Sequence, residues 1–292
     1  MAIIVNEKSK ILIQGITGSV GKGFAKRMLV YHSPLVAGVT PNKGGQFVHG
    51  VPVYNSVEEA VYKEYADTSL IIVPPKLVEQ AALEAIDAGI KTIVVYSEGV
   101  PIHDSMRLVQ YANLHRVNLF GPNSAGVVSP GKANVSDIDD SILRQGKIGV
   151  VSRSGTLTYE IVEILKKQQI GISTIVCLGG DPIVGVHQRD ILELFEQDED
   201  TDAVIYIGEI GGTDEVTVAE TLKGMNKPVF AYIAGQYAPK NKRMGHAGAI
   251  INNENESASR KRELLELSGA KVVKVVTELE GLLKNYFNSQ KV

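Results

Sequence analysis

Short β-branched runs alternate with amphipathic stretches along the whole chain, and this alternation limits the fold more than any other feature of the sequence. Strands are predicted at residues 10–14, 35–39, 70–73, 92–96 and 117–120, then at 147–152, 174–178, 203–208, 229–233 and 271–276. Helices are predicted between them, at 78–88, 159–168, 189–196 and 258–267 among others. Two parallel strands need a crossover of helix length, so repeated strand–helix units imply parallel sheets covered on both faces. The expected class is α/β, in two doubly wound domains. Residues 121–145 are rich in Gly, Pro, Ser, Asn and Asp and separate the two series. The expected division is therefore residues 1–122, a linker at 123–145, and residues 146–292.

Of the 292 residues, 44% are hydrophobic and 22% charged, enough for sizeable cores. A net charge of −3, with Lys and Arg dispersed, leaves no electrostatic footprint for nucleic acid or an anionic membrane. The one cysteine, Cys177, excludes an intrachain disulfide and a Cys-built metal cage. Inside a predicted strand it reads as a small buried hydrophobe. No spacing of His, Asp or Glu points to a metal either. No apolar run nears the ~20 residues that span a bilayer. The first residues lack the basic start and long apolar stretch of a signal peptide. A cytoplasmic protein is expected, or one of the mitochondrial matrix if a presequence has been removed.

Ligands of doubly wound folds sit at the carboxyl ends of the strands, where strand order reverses. The first predicted strand runs into Gly15-Ile-Thr-Gly18-Ser-Val-Gly21 and then a helix. Glycines here let peptide N–H groups approach an anion at a helix N-terminus; a bare glycine turn reads the same way. The dinucleotide frame fails, because the middle glycine is displaced by one and the second strand ends in basic Lys43 rather than an acid. The nucleoside-triphosphate P-loop fails too, since Gly23 follows Lys22. A phosphate-rich adenine ligand such as CoA fits better than NAD or ATP, with Lys43 suited to an extra phosphate. At the end of the fourth strand, Tyr96-Ser97-Glu98-Gly99 either lines the same crevice or forms a plain turn.

The second half has its own candidates. Ser152-Arg-Ser154-Gly155-Thr156-Leu-Thr-Tyr159 joins a strand to a helix, with Ser154 as N-cap and the first N–H groups open to an anion. An ordinary capped helix would look alike. Glu209 ends a buried strand that opens into glycines, a costly place for a carboxylate unless it is paired. There it can accept from one ring nitrogen of a histidine and leave the other nucleophilic. His246 lies in Lys240-Asn-Lys242-Arg243-Met-Gly-His-Ala-Gly, between small residues and below a basic cluster. It reads as a nucleophile or as an inert loop histidine. His32, His49, His103, His115 and His187 read as surface or satisfied residues.

Taken together, Gln14-Gly-Ile-Thr-Gly-Ser, Gly38-Val-Thr-Pro-Asn-Lys-Gly-Gly, Gly121-Pro-Asn, Val151-Ser-Arg-Ser-Gly-Thr-Leu-Thr-Tyr-Glu, Gly179-Gly-Asp-Pro-Ile, Ile207-Gly-Glu-Ile-Gly-Gly and Lys242-Arg-Met-Gly-His-Ala-Gly-Ala-Ile resemble the succinyl-CoA synthetase (succinate–CoA ligase, ADP- or GDP-forming) α-subunit family over essentially the whole chain. The resemblance implies an N-terminal Rossmann-like CoA-binding domain and a C-terminal flavodoxin-like ligase domain. It implies a β subunit with an ATP-grasp domain that binds ATP or GTP and Mg²⁺, in an αβ or α2β2 assembly. By the same resemblance, Thr17, Gly18, Ser19, Val20, Lys43, Tyr96, Ser97 and Glu98 contact CoA. His246 is the phosphorylated residue, Glu209 its orienting partner, and Ser154, Gly155 and Thr156 hold the phosphate. Tyr159 borders the carboxylate substrate.

The implied reaction passes phosphate from nucleotide to His246, then to succinate, and CoA displaces it. The chain departs from the family's usual run at Asn252-Asn-Glu-Asn-Glu-Ser257, where glycines are usual, at Ser124-Ala125 and at Val20. Other readings are a malate–CoA ligase or another nucleoside-diphosphate-forming acyl-CoA synthetase, and a catalytically silent CoA-binding regulatory module.

Overall fold

In the computed structural model, which describes residues 3–289, the chain forms two compact units. One takes residues 4–140 and 177–186; the other takes residues 141–176 and 187 onwards. The outer ends of the two expected domains, residues 1–2 and 290–292, lie outside the described residues.

The first unit runs β1 (Ile11–Gln14), α1 (Ser19–Val30), β2 (Leu35–Val39), β3 (Phe47–Val48), β4 (Val51–Tyr54), α2 (Val57–Glu64), β5 (Thr68–Ile71), α3 (Val78–Asp87), β6 (Thr92–Val95), α4 (Ile102–His115) and β7 (Asn118–Phe120). These strands pair in the order β3-β4-β2-β1-β5-β6-β7, parallel except for β3 with β4. β1 is central, with Gln14 opposite both Val39 and Ile71, and every residue of β1, β5 and β6 is buried. Continuous burial follows from helices on both faces. On one face Leu12, Ile71, Ile93 and Val95 pack with Val78, Ala82 and Ala85 of α3 and Leu108 and Ala112 of α4. Each such Leu, Ile or Val side chain fully removed from water contributes about 1.5–3 kcal/mol. Strand order reverses between β1 and β5.

Two hairpins lie outside the predicted strands. β3–β4 closes the sheet edge, with Pro52 opposite Phe47; a proline is tolerated there because it stands at the start of β4, before Val53, where the register with β2 begins. β8 (Gly126–Ser129) and β9 (Ala133–Ser136) form an antiparallel hairpin with fully buried strands inside the span read as a linker.

The second unit contains β10 (Gln145–Ser152), α5 (Gly155–Lys167), β11 (Ile172–Cys177), α6 (Gln188–Gln197), β12 (Ala203–Glu209), α7 (Asp214–Leu222), β13 (Val229–Ala234), α8 (Ala258–Leu267), β14 (Lys271–Val273) and α9 (Glu278–Ser289). Its strands order as β11-β10-β12-β13-β14, which is 2-1-3-4-5, the flavodoxin-like pattern expected from the resemblance. β10, β12 and β13 are parallel and in register, with Ser152 opposite Ile207 and Glu209 opposite Ala234. Here the order reverses between β10 and β12. Cys177 is buried at the end of β11, as expected. Among the described residues, no helix is long and apolar enough to cross a membrane.

Candidate active site

At the reversal point of the second unit, β10 leads through Ser152 and Arg153 into α5, and β12 ends at Glu209. Ser154 is the N-cap of α5: its hydroxyl accepts from Leu157 N at 3.3 Å, while its own N–H is fixed by Ser152 Oγ at 3.0 Å. That leaves the Gly155 and Thr156 N–H groups as the first-turn donors without a partner in the helix, at its positive end. Glu209 is only 8% exposed. Its Oε2 lies 2.6 Å from His246 Nδ1 and its Oε1 3.5 Å from Arg153 Nε. Arg153 also reaches Asp214 Oδ2 at 3.3 Å. A carboxylate only accepts, so the proton of the 2.6 Å contact sits on Nδ1 of the imidazole. Nε2 then carries the lone pair, and a quarter of the His246 side chain is exposed. Such an arrangement can present the imidazole as an oriented nucleophile at the strand edge where α5 begins.

The loop that delivers His246 is held by its own backbone. Met244 N donates to Ala249 O at 3.0 Å and Ala249 N to His246 O at 3.2 Å, closing a tight turn around the histidine. Buried Ala249 and Ile251 anchor its far side. Gly211 has φ +85, and a Cβ there would stand 2.2 Å from Gly248 O, so only glycine lets β12 lie against this turn. Gly211→Ala is expected to cost about 1–3 kcal/mol in backbone strain, before the steric clash is counted, and to lower the Tm. Glu256 fastens the end of the loop. Its Oε2 accepts from Asn252 N (2.7 Å) and Asn252 Nδ2 (3.0 Å), its Oε1 from Asn253 Nδ2 (2.8 Å), and its carbonyl from Gly211 N (3.0 Å).

The first unit holds a second site at its own reversal point. A cavity of about 340 Å³ opens between the ends of β1, β2 and β5, lined by Gln14, Gly15, Thr17, Gly18, Thr40 and Ile72 among others. Gly15 has φ +89 and its missing Cβ would lie 2.2 Å from Ile72 O, so the turn rests directly on the neighbouring backbone. Ser19 and Val20 are exposed in the first turn of α1, which Gly18 starts without a side-chain cap. Lys43 Nζ reaches Thr17 Oγ1 at 3.2 Å, bringing one cation to the glycine turn. A larger groove of about 870 Å³ among α2, α3 and α4 is lined by Glu58, Glu79, Glu84 and Asp87, an acidic surface unsuited to phosphate.

The loop after β6 is clamped. Asp181, buried, accepts from Gly99 N at 3.1 Å and Val100 N at 3.3 Å. Burial pushes its carboxyl up, against these bonds, which lower it. Ser97 Oγ donates to Val73 O at 2.5 Å, and Glu98 is exposed. The Tyr96 ring packs edge-on against Phe24 of α1, with centroids 4.9 Å apart. Burial and the neighbouring Asp137 push its hydroxyl up.

The structure therefore brings His246 and Glu209 together and puts Ser154, Gly155 and Thr156 at the same strand edge. Thr17 and Lys43 meet in the other unit, beside Gly18, Ser19 and Val20. Tyr159 lies half-buried in the second turn of α5. Lys240, in the basic cluster, is engaged by Glu254 at 2.9 Å, while Lys242 and Arg243 are exposed. Sequence reading gave no part to Arg153, Asp181, Glu256 or Lys261. One signal for Lys261 existed: with Ala258 and Leu265 it falls at i, i+3 and i+7, the buried face of α8. Among the described residues no cluster of three or more His, Cys, Asp or Glu could hold a metal ion.

Family models match both halves of the chain, a CoA binding domain over residues 6–99 and a CoA-ligase domain over residues 151–271. Succinate–CoA ligase (ADP-forming) subunit alpha 1 of Archaeoglobus fulgidus is 50% identical over 279 residues, 96% of each chain. Malate–CoA ligase subunit alpha of Methylorubrum extorquens is 47% identical over 277 residues, 93% of this chain and 94% of that one. Among solved structures, ATP citrate lyase from Methanothrix soehngenii, in complex with citrate and coenzyme A, matches 99% of this chain with a TM-score of 0.89 at 25% identity. The chain spans about half the length of that lyase, 51%. Relatives this similar over nearly their whole length show the family: the chain belongs to the succinate–CoA ligase α subunits.

Proposed function

We propose that the chain is the α subunit of a succinate–CoA ligase in which His246 carries a phosphoryl group from a nucleoside triphosphate to succinate. The observation that supports this most is the 2.6 Å contact between His246 Nδ1 and Glu209 Oε2 at the strand edge where α5 begins. His246 Nε2 attacks the terminal phosphorus; the N–P bond forms, the bond to the leaving nucleoside diphosphate breaks, and the electron pair departs with its oxygen. Glu209 stabilises the positive charge that develops on the ring. Ser154, Gly155 and Thr156 receive the transferred phosphate at the helix end. A succinate carboxylate oxygen then attacks phosphorus and returns the electron pair to Nε2. CoA sulfur attacks the acyl carbon, the C–O bond to phosphate breaks, and the thiol proton leaves on the phosphate, giving succinyl-CoA. Tyr159 borders the acid.

In this reading residues 1–122 bind CoA and residues 146–292 carry the phosphohistidine, joined by 123–145. Thr17 to Val20 and Lys43 take the phosphates of CoA, with Tyr96 to Glu98 alongside. A β subunit with an ATP-grasp domain supplies ATP or GTP and Mg²⁺, in an αβ or α2β2 assembly. Lys43→Ala is expected to weaken CoA binding by about 1–3 kcal/mol, the worth of a charged hydrogen bond. Isothermal titration of CoA measures this, and an unchanged affinity removes Lys43 from the site.

The reading as a whole is tested on the chain co-produced with its β subunit. Labelled ATP or GTP should leave acid-labile, alkali-stable phosphate on residue 246, discharged by succinate and CoA. Discharge by malate in preference to succinate would instead make the enzyme a malate–CoA ligase. Phosphate on any other residue, or none, would reject the carrier role.

A further inference from the structure

Behind the His246–Glu209 pair lies a set of buried polar groups that the reaction above leaves unused. Lys261, in the first turn of α8, is 3% exposed. Its ammonium donates to the main-chain carbonyls of Glu209 at 2.8 Å and Gly211 at 2.6 Å, and lies 2.5 Å from Glu215 Oε2. Glu215, from α7, is 2% exposed. Tyr206, fully buried on β12, donates to Gln188 Oε1 at 2.7 Å and lies 3.3 Å from Glu215 Oε1. Gly208 makes the space: a Cβ there would stand 2.7 Å from Glu215 Oε1.

Stability does not account for this set. Removing both charges of an ion pair from water costs more than such a pair usually returns, and a volume-matched apolar pair would serve a core at least as well. What an apolar pair cannot do is bind carbonyls. The register of β10 with β12 ends at Ser152 and Ile207, so β12 continues without that neighbour through Gly208 and Glu209. β13 still flanks this end on one side; on the other, two of the ammonium's three donors meet carbonyls of the chain leaving the strand, and its charge lies against one anchoring carboxylate. The path of the backbone from Glu209 to Gly211 sets where the Glu209 side chain points. We infer that Lys261 is a positioning residue for phosphoryl transfer: by holding the carbonyls of Glu209 and Gly211, with Glu215 as its anchor, it aims the Glu209 carboxylate at His246 Nδ1.

This rests on His246 being the phosphate acceptor, and the experiment separates the two claims. The complex with the β subunit is given labelled ATP, and the single-turnover rate of labelling at residue 246 is compared among four chains. They are the unaltered chain, Lys261→Met with Glu215→Gln, Glu209→Gln, and all three changes together. The paired change removes both charges at nearly constant volume, so no buried charge is left alone. It should slow labelling roughly 10- to 100-fold, the effect of a misplacement near 1 Å, at unchanged half-saturating ATP. Added to Glu209→Gln, it should slow labelling by less than about 3-fold, because the carboxylate it aims is gone. A rate within about 2-fold of the unaltered chain, or equal slowing in both backgrounds, overturns the inference and leaves a structural role. Absence of label at residue 246 in the unaltered chain instead rejects the phosphate-carrier reading. If the paired variant does not assemble, Lys261→Gln, which keeps an amide NH₂ but no charge, is judged by the same rates and limits.

Discussion

His246→Asn, assembled with its partner subunit and given labelled ATP, takes up no acid-labile phosphate at residue 246 and loses at least ~10³-fold in turnover, as removal of an enzyme nucleophile does. The reason is electronic. The amide nitrogen of Asn has its lone pair delocalised into the carbonyl and cannot form the N–P bond. It can still donate toward Glu209 Oε2, which now faces Nδ1 at 2.6 Å, so the fold has little cause to change. Circular dichroism and the Tm should stay near those of the unaltered chain, and CoA should bind as before. Full labelling of this variant would remove His246 from the chemistry.

Glu209→Gln is the second large effect, expected to slow phosphate transfer by about 10²- to 10⁴-fold, up to the loss seen when the carboxylate that orients a catalytic imidazole becomes an amide. A carboxylate forces the proton onto Nδ1, whereas an amide NH₂ turned toward the ring asks Nδ1 to accept. That choice moves the proton to Nε2, the atom that must attack. The amide also gives up the ion pair with Arg153 Nε at 3.5 Å, so positive charge near the ring is no longer offset. Single-turnover labelling measures the loss. Unchanged rates would mean that another group sets the tautomer.

Much of this centre was legible in the chain because its signals are local. A carboxylate at the end of a buried strand, followed by glycines, marks Glu209; small neighbours mark His246; a serine before a helix marks the α5 start. Arg153 was not legible, since its approach to Glu209 is set by β10 lying beside β12, residues more than fifty apart in sequence. Lys261 looked like one more cation on a helix whose polar residues outnumber its apolar ones. Its place on the buried face shows only when Ala258 and Leu265 are counted with it.

The two doubly wound sheets followed from strand–helix alternation. The hairpins did not, for compositional reasons: Pro52 breaks the strand pattern of β4, and the β8–β9 turn reads Pro130-Gly131-Lys132. Tyr96 shows a further limit. The sequence places it after a buried strand but does not say that its ring packs against Phe24.

Glu256 ties the stretch from Asn252 to Ser257 down with three side-chain hydrogen bonds and a fourth through its carbonyl. A glycine-rich segment keeps its freedom until something external orders it. This one gives up its conformational entropy when the chain folds. Whatever later closes over the loop therefore meets a surface already in shape, and the association step has that much less disorder to quench.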